Sequence, residues 1–414
     1  MNEQDDNSLG MREELSEDGS KIGIEAEEDE VIEPFDPSEI SIQQKVVSMD
    51  VLIRRLKQGT IRLSPAYQRN EVWDKSRKSR LIESLMLNIP LPMFYVAADG
   101  EGNWEVVDGL QRLSTIRDFA IGSPKEGHHE FLRLSNLEFL GEKFDGKTFP
   151  EIESEPNQQK LVNGFFETEM RFTIVNPGTP EAVKRNIFKR INTGGMPLTS
   201  QEIRHALYEG ASTRLLSKLV KNSAFQNATG NKINDSRMGG RELILRLLSF
   251  IVLDRKSYRS NMDSWLSNAM LVINCLPDVD VRLMEKTYGR SDPPKVLIHE
   301  LDLIEKKFEL AMLRASELFG GHAFRKSLPD ESRKSPINKS LFDIWGDILS
   351  GMSESDYRFL VENKMEWLRI YKGVLIRLDF SNSISRHSST PKGVVESYSE
   401  IYNSVVDFVS KREF

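Results

Sequence analysis

The chain has 414 residues, of which 39% are hydrophobic and 29% charged, and a net charge of −7 at neutral pH. That length suits two or three domains with ordinary cores. No apolar run approaches the roughly 18 to 20 residues that span a bilayer, and the polar, acidic start lacks the basic and apolar regions of a secretory signal, so the cytoplasm is the expected location.

The single cysteine, Cys275, excludes an intrachain disulfide and a Cys-rich zinc site, and its apolar setting in 271–276 predicts helix core. Six histidines are scattered, without the spacing of a helical metal site. Charge is unevenly placed: residues 1–40 hold 15 Asp and Glu against Arg12 and Lys21, so the rest of the chain is basic by +6. Such a segment buries too little apolar surface to offset chain entropy and is expected to stay disordered. It reads either as a solvating tail or as a cover that competes with a polyanion for the basic remainder.

In chain order, Ser48 predicts the N-cap of a helix over 49–58, stopped by Gly59 and followed by a short extended Ile61–Leu63. Asp74 predicts a second helix to Asn88, with Leu81 and Leu85 inward beside the basic Lys75, Arg77, Lys78 and Arg80. Met93–Ala97 and Trp104–Val107 flank a Gly-containing loop and predict a hairpin whose second strand runs into Asp108-Gly109. A helix then runs from Leu110 or Gln111 to about Ile121, residues 122–165 read as an insertion with short pieces of structure, and Glu169–Val175 resembles a strand. Pro180 starts a helix ending at Asn192-Thr193-Gly194-Gly195, and Thr199 with Glu202 forms a capping box for the next. Beyond Ser212 the pattern is helical, with helices expected near 212–221, 240–254, 262–274, 295–319, 337–350, 355–376 and 392–411.

The strand-Asp108-Gly109-Leu110-Gln111-Arg112-helix junction carries the most chemistry. A helix leaving a tight turn presents free N–H groups and partial positive charge, which attract phosphate, and Arg112 adds a planar bidentate donor. Gly109 lets backbone approach a ligand, while Asp108 either caps the helix or holds a Mg2+. Upstream, a Pro-fixed stretch sets Tyr67, Gln68 and Arg69 before the basic helix. Tyr67 and Trp73 are core residues or stacking surfaces for base or sugar, depending on whether Gln68-Arg69 and Gln111-Arg112 converge. The Asn192-Thr193-Gly194 turn is either a helix C-cap or a phosphate-closing loop with Arg190 nearby.

Tyr67-Gln68-Arg69, Trp73, Leu81–Leu85, Ile89-Pro90-Leu91-Pro92, Val107–Leu113, Phe188–Gly195, Leu198-Thr199 and Glu202-Ile203-Arg204 occur in an order that resembles the N-terminal domain of GmrSD-type modification-dependent restriction endonucleases. The resemblance covers about residues 41–210. It implies a ParB/sulfiredoxin-like fold, nucleotide binding and NTP hydrolysis with possible Mg2+, at a site where Asp108, Gln111, Arg112, Gln68 and Arg69 are catalytic. Tyr67, Trp73, Gly109, Arg190, Asn192, Thr193 and Gly194 would then contact the nucleotide. Leu110 stands where the family usually has a first Gln, which makes hydrolysis less secure than binding.

The expected fold is α+β: a small ParB/sulfiredoxin-like mixed sheet with helices over 41–210, after the acidic tail 1–40 and before a mostly α-helical domain, 211–414. Relatives often carry a following H-N-H nuclease, but no such signature is found here. The helical half therefore reads as a structural, dimerising or nucleic-acid-binding module, with Arg325-Lys326, Arg333-Lys334 and the 386–392 loop read as solvated surface or, alternatively, as phosphate contacts. The expected setting is DNA restriction or anti-phage defence, with nucleotide, DNA and a partner nuclease or defence protein as partners. The alternative is a non-catalytic DNA-binding adaptor or regulator on the same fold.

Overall fold

The computed structural model describes residues 13–15, 21–25, 41–63, 73–125, 128–191, 198–259 and 261–411. The chain divides into two compact units, 33–198 and a second made of 1–32 with 199–414. The division falls between Leu198 and Thr199, so the capped helix after Thr199 is counted with the helical unit rather than with the sheet. Two short N-terminal strands, β1 (Glu13–Leu15) and β2 (Lys21–Glu25), pair antiparallel and belong to the second unit.

The α/β unit starts with β3 (Ile42–Ser48), α1 (Met49–Lys57), β4 (Ile61–Arg62), α2 (Lys75–Met86), β5 (Phe94–Ala98), β6 (Trp104–Asp108) and α3 (Leu110–Ala120). The insertion holds the hairpin β7 (Ser123–Lys125) and β8 (His128–Glu130), then α4 (Gly141–Phe144), α5 (Phe149–Glu153) and α6 (Gln159–Glu167). The unit closes with β9 (Glu169–Val175) and α7 (Glu181–Ile191). The sheet order is β3-β9-β5-β6-β4, mixed in direction: β3/β9 and β5/β6 are antiparallel, β5/β9 and β4/β6 parallel. This is the expected small mixed sheet.

Local chemistry explains the elements that flank the site. Asp74 accepts from the Arg77 amide at 2.7 Å and starts α2, which ends at Met86 rather than Asn88 because Asn88 turns to positive φ. In the hairpin loop Asp99 takes the amides of Glu101 and Asn103 at 2.9 Å each, holding β5 beside β6. The buried Glu83 carboxylate on α2 accepts three successive amides, Glu138, Phe139 and Leu140, at 2.7 to 2.9 Å. Those bonds tie the insertion to α2 and hold the Glu83 carboxyl below its usual pKa against the opposing effect of burial. Strand β3 is absent from the sequence expectation, since at the sheet edge only Val47 is buried and no alternating pattern forms.

The second unit continues with α8 (Ser200–Leu207), α9 (Ala211–Leu219), α10 (Ser223–Thr229), α11 (Gly239–Val252), α12 (Met262–Cys275) and α13 (Val281–Tyr288). It ends with α14 (Leu301–Phe319), α15 (Lys339–Gly351), α16 (Glu354–Glu362), α17 (Lys364–Leu375), α18 (Leu378–Ser383) and α19 (Pro391–Ser410). The expected capping box is present: Thr199 accepts from the Glu202 amide and Glu202 from the Thr199 amide. Three short helices, α10, α13 and α18, escape the sequence reading, and the helix expected over 355–376 is two, joined at Asn363. The helix expected from 295 starts at Leu301, because Val296 pairs with Leu253 and the Leu297 amide bonds to Val252. Cys275, expected in helix core, closes α12 half-buried.

Within the acidic segment, residues 13–15 and 21–25 are described. Ile24 is fully buried in the core of the helical unit and the Glu25 side chain is paired there, which offsets the cost of ordering this stretch.

Candidate functional site

The junction of β6 and α3 positions the central residues. Gly109 is the N-cap of α3 with φ +94°, and no side chain caps the helix. A Cβ at Gly109 would lie 2.4 Å from Phe94 Cδ1 and 3.1 Å from an Arg112 guanidinium nitrogen. Glycine is therefore required twice, by the left-handed backbone and by the close ring. Asp108 does not cap the helix. Its carboxylate pairs with Arg112 at 2.9 Å while its side chain stays 38% exposed.

Arg112 is anchored from three directions. It donates to the carbonyls of Pro92 and Met93 and to Asp108, and its guanidinium lies 4.4 Å from the Phe94 ring centroid. Burial pulls its pKa below the ordinary arginine value, opposed by Asp108. With five N–H donors in a fixed plane, an arginine so held presents a fixed edge rather than a wandering charge. Gln111, in the first turn of α3, is half-buried, and its backbone carbonyl takes the Thr115 hydroxyl at 2.7 Å. Leu110, at the position where the family usually has Gln, is 9% exposed and packs inward.

Trp73 lies half-buried ahead of α2, with the Arg77 guanidinium 4.5 Å from its ring. Of the basic residues on α2, Lys78 pairs with Asp118 at 2.8 Å and Arg80 with Glu138 at 3.3 Å. Tyr67, Gln68 and Arg69 lie outside the described residues, as do Asn192, Thr193 and Gly194; Arg190 is placed only as part of the α7 backbone. The structure thus brings together Asp108, Gly109, Gln111 and Arg112. The convergence of the two Gln-Arg pairs is not among the described features.

Residues 51–209 match the family model of the GmrSD restriction endonuclease, N-terminal domain. This segment is a GmrSD N-terminal domain. The match runs from α1 through α8, so the family segment ends in the helical unit. No curated protein matches the chain.

Within that domain the sequence reading missed a second surface. A groove of 490 Å3 opens between α1 and the hairpin loop, with Arg54, Arg55, Gln58 and Asn103 in its walls. Arg55 is fixed there by a 2.6 Å bond to the Gly102 carbonyl and by the Trp104 ring, 3.8 Å from its guanidinium. Trp104 and Phe94 each lie 5.1 Å from Phe172, so one row of rings ends in Arg55 and the other end in Arg112. The adjacent Arg54-Arg55 was the available signal, but neighbouring cations on one helix are ordinarily solvated, and only the hairpin makes Arg55 a fixed group.

Arg204, another residue of the family order, has a different setting. It is 1% exposed and bonds to Gln201 at 2.9 Å, Glu242 at 2.8 Å and Asp263. Burial raises the Glu242 pKa, but Lys339 and Arg204 outweigh it and bring the group down to about 2. Arg204 is a core ion-pair residue. Among the described residues, no group of three or more His, Cys, Asp or Glu is placed to hold a metal, and no helix is long and apolar enough to cross a membrane.

Proposed function

We propose that this protein binds a nucleoside triphosphate at the β6–α3 junction and hydrolyses it in the service of DNA restriction or anti-phage defence. The observation that carries the reading is the Asp108-Gly109-Leu110-Gln111-Arg112 corner of a GmrSD N-terminal domain: a left-handed glycine opens a helix with no side-chain cap beside a fixed arginine. A helix start of this kind favours a phosphate through its amides and dipole, and Arg112 supplies charge-assisted bonds at the same edge. Gln111, with Gln68 from the preceding motif, is assigned to positioning water, and Arg69 to phosphate charge. Tyr67 and Trp73 would face the base or sugar, and Arg190, Asn192, Thr193 and Gly194 the phosphates. A partly exposed Asp108 carboxylate fits Mg2+ carried in with the phosphates, since that ion typically takes one or two protein carboxylates and keeps water. DNA is the macromolecular partner this assignment calls for, with a partner nuclease supplying the cut.

A second reading is favoured by one observation. Leu110 packs inward, so this chain lacks one amide of the family motif, and a DNA-binding adaptor without turnover would use the same corner to hold phosphate backbone. Calorimetric titration with each of the four ribonucleoside triphosphates, with and without Mg2+, tests the first. Micromolar binding that Arg112→Ala abolishes, together with phosphate release, supports it. Unchanged affinity in the variant removes the junction as the site. Steeply salt-dependent DNA binding with no phosphate release transfers the case to the adaptor.

A further inference from the structure

The helical unit contains a docking site that its own N-terminal segment fills. The edge is the backbone of Ile337, whose amide donates to the Gly23 carbonyl at 2.9 Å and whose carbonyl accepts the Glu25 amide at 2.8 Å. Ile24 lies parallel to Ile337, and Arg325 pairs with Ile337 on the antiparallel side, so Ile337 is bridged on both sides, while β2 itself lies between Ile337 and β1, which pairs with it at Glu25 and Lys21. The Ile24 side chain is fully buried and reaches the start of α11. Gly23 has φ +85°, and a Cβ there would come 3.0 Å from the Lys232 carbonyl oxygen, so this position admits only glycine without strain.

The third residue is recognised through its charge. One Glu25 carboxylate oxygen accepts from Lys326 Nζ at 2.6 Å, and the other accepts from Asn338 Nδ2 at 3.0 Å. Both donors are preset by the helical unit itself. The Asn338 side-chain oxygen caps α15 at Leu341 N, 2.9 Å, which fixes the direction of its amide nitrogen, and that nitrogen also bonds to the Ile384 carbonyl at 2.9 Å. Lys326 is steadied by the Ser385 hydroxyl at 2.7 Å. Backbone pairing, a pocket for one apolar side chain and two donors for a carboxylate are the three parts of an edge-strand peptide site.

We propose that this is a peptide-acceptor site specific for a Gly-Ile-Glu segment with a left-handed glycine, occupied in cis by Gly23-Ile24-Glu25 and able to exchange it for the same segment of a second copy of this chain. The register of the docked strand is set by Glu25, because a slip of one residue moves Ile24 out of its pocket and the carboxylate away from Lys326. The segment is also short and charged, which suits a contact that opens without unfolding the helices. Lys326 is therefore a carboxylate-binding residue, not an open phosphate contact.

Hydrogen exchange on the full chain, compared with Glu25→Ala and Glu25→Gln, tests the docking. The amides of Glu25 and Ile337 should exchange roughly tenfold faster or more in Glu25→Ala, as loss of a charge-assisted bond implies, and less in Glu25→Gln, while the α12 and α15 amides stay as slow as in the parent. Equal protection in the parent and the Glu25→Ala chain overturns the role of the carboxylate. The second arm titrates a labelled peptide of residues 19–28 into the Glu25→Ala full chain and follows its anisotropy. Saturable binding that a peptide carrying the same Glu25→Ala change fails to reproduce establishes exchange, and no binding by the parent peptide overturns it.

Discussion

Arg112 and Arg204 belong to the same ordered motif set, yet the molecule uses them differently. Arg204 is enclosed by carboxylates and an amide, with Glu242 and Asp263 as its counter-charges and almost no exposure. Arg112 rests on two backbone carbonyls and one carboxylate that is itself 38% exposed. A buried pair of full charges is costly to disturb, whereas the Arg112 guanidinium has two backbone carbonyls holding it besides its carboxylate. The difference teaches that motif order marks both kinds of residue, and that only the partners separate the arginine proposed to meet a ligand from a core one.

The sharpest way to break the comparison is Arg204→Ala. It leaves Glu242 and Asp263 short of their counter-charge, and the expected loss is about 3 to 5 kcal/mol of stability, read by urea denaturation. Restoration of roughly half that loss by Arg204→Met with Glu242→Gln would place the cost in unpaired charge rather than in packing. A fully stable Arg204→Ala chain, in contrast, would contradict the core assignment.

Next in size is Gly109→Ala, which forces a β-carbon toward the Phe94 ring and a left-handed backbone on alanine. The expected cost is about 2 to 4 kcal/mol, confined to the α/β unit and visible as faster amide exchange in β6 and α3. Exchange that accelerates equally in α11 and α12 would show that the two units do not unfold separately.

A smaller effect concerns pH. The Glu242 carboxyl is held at about 2 in the folded chain against an ordinary value of 4.5, so its contribution is complete above the unfolded value and is lost as pH falls from about 4.5 toward 2. Burial, with Arg241 adding to it, lowers the His205 imidazole to about 4, so the unfolded chain takes up a proton first and stability declines as pH falls from 6.5 to 4. Melting temperatures should therefore begin to drop below pH 6.5. His205→Gln should flatten the upper part of the decline, and a drop that starts only below pH 4.5 would contradict the histidine assignment.

These contrasts also show how much was legible in advance. The hairpin, the capped α2 and the Thr199–Glu202 box follow from residues whose local chemistry decides the backbone, and the helical second half follows from apolar periodicity. Strand β3 was illegible, because an edge strand with one buried residue shows no period of two. The docked Gly23–Glu25 was hidden for another reason: three residues inside a strongly acidic segment look like tail, and their partners Lys326 and Asn338 lie about three hundred positions away. At the junction, glycine and arginine were readable as a pair, but not the Pro92 and Met93 carbonyls that hold the arginine, since backbone partners leave no mark in side-chain spacing.

The smallest expected effect is the most informative about the site. Leu110→Gln restores the amide that the family usually carries, and intuition would expect it to restore catalysis. Leu110, however, is 9% exposed and packs inward, while Asp108, with a side chain 38% exposed, is the open part of the Asp108–Arg112 pair. An amide at this inward-packed position is withdrawn from water, so the substitution should cost about 1 to 3 kcal/mol in stability and change the proposed nucleotide turnover by no more than about threefold. A tenfold gain in phosphate release at unchanged nucleotide affinity would mean that position 110 turns toward the ligand when one binds. The first turn of α3 would then rearrange on binding, and Arg112, now braced on Pro92 and Met93, would be the residue to follow in a nucleotide-bound structure.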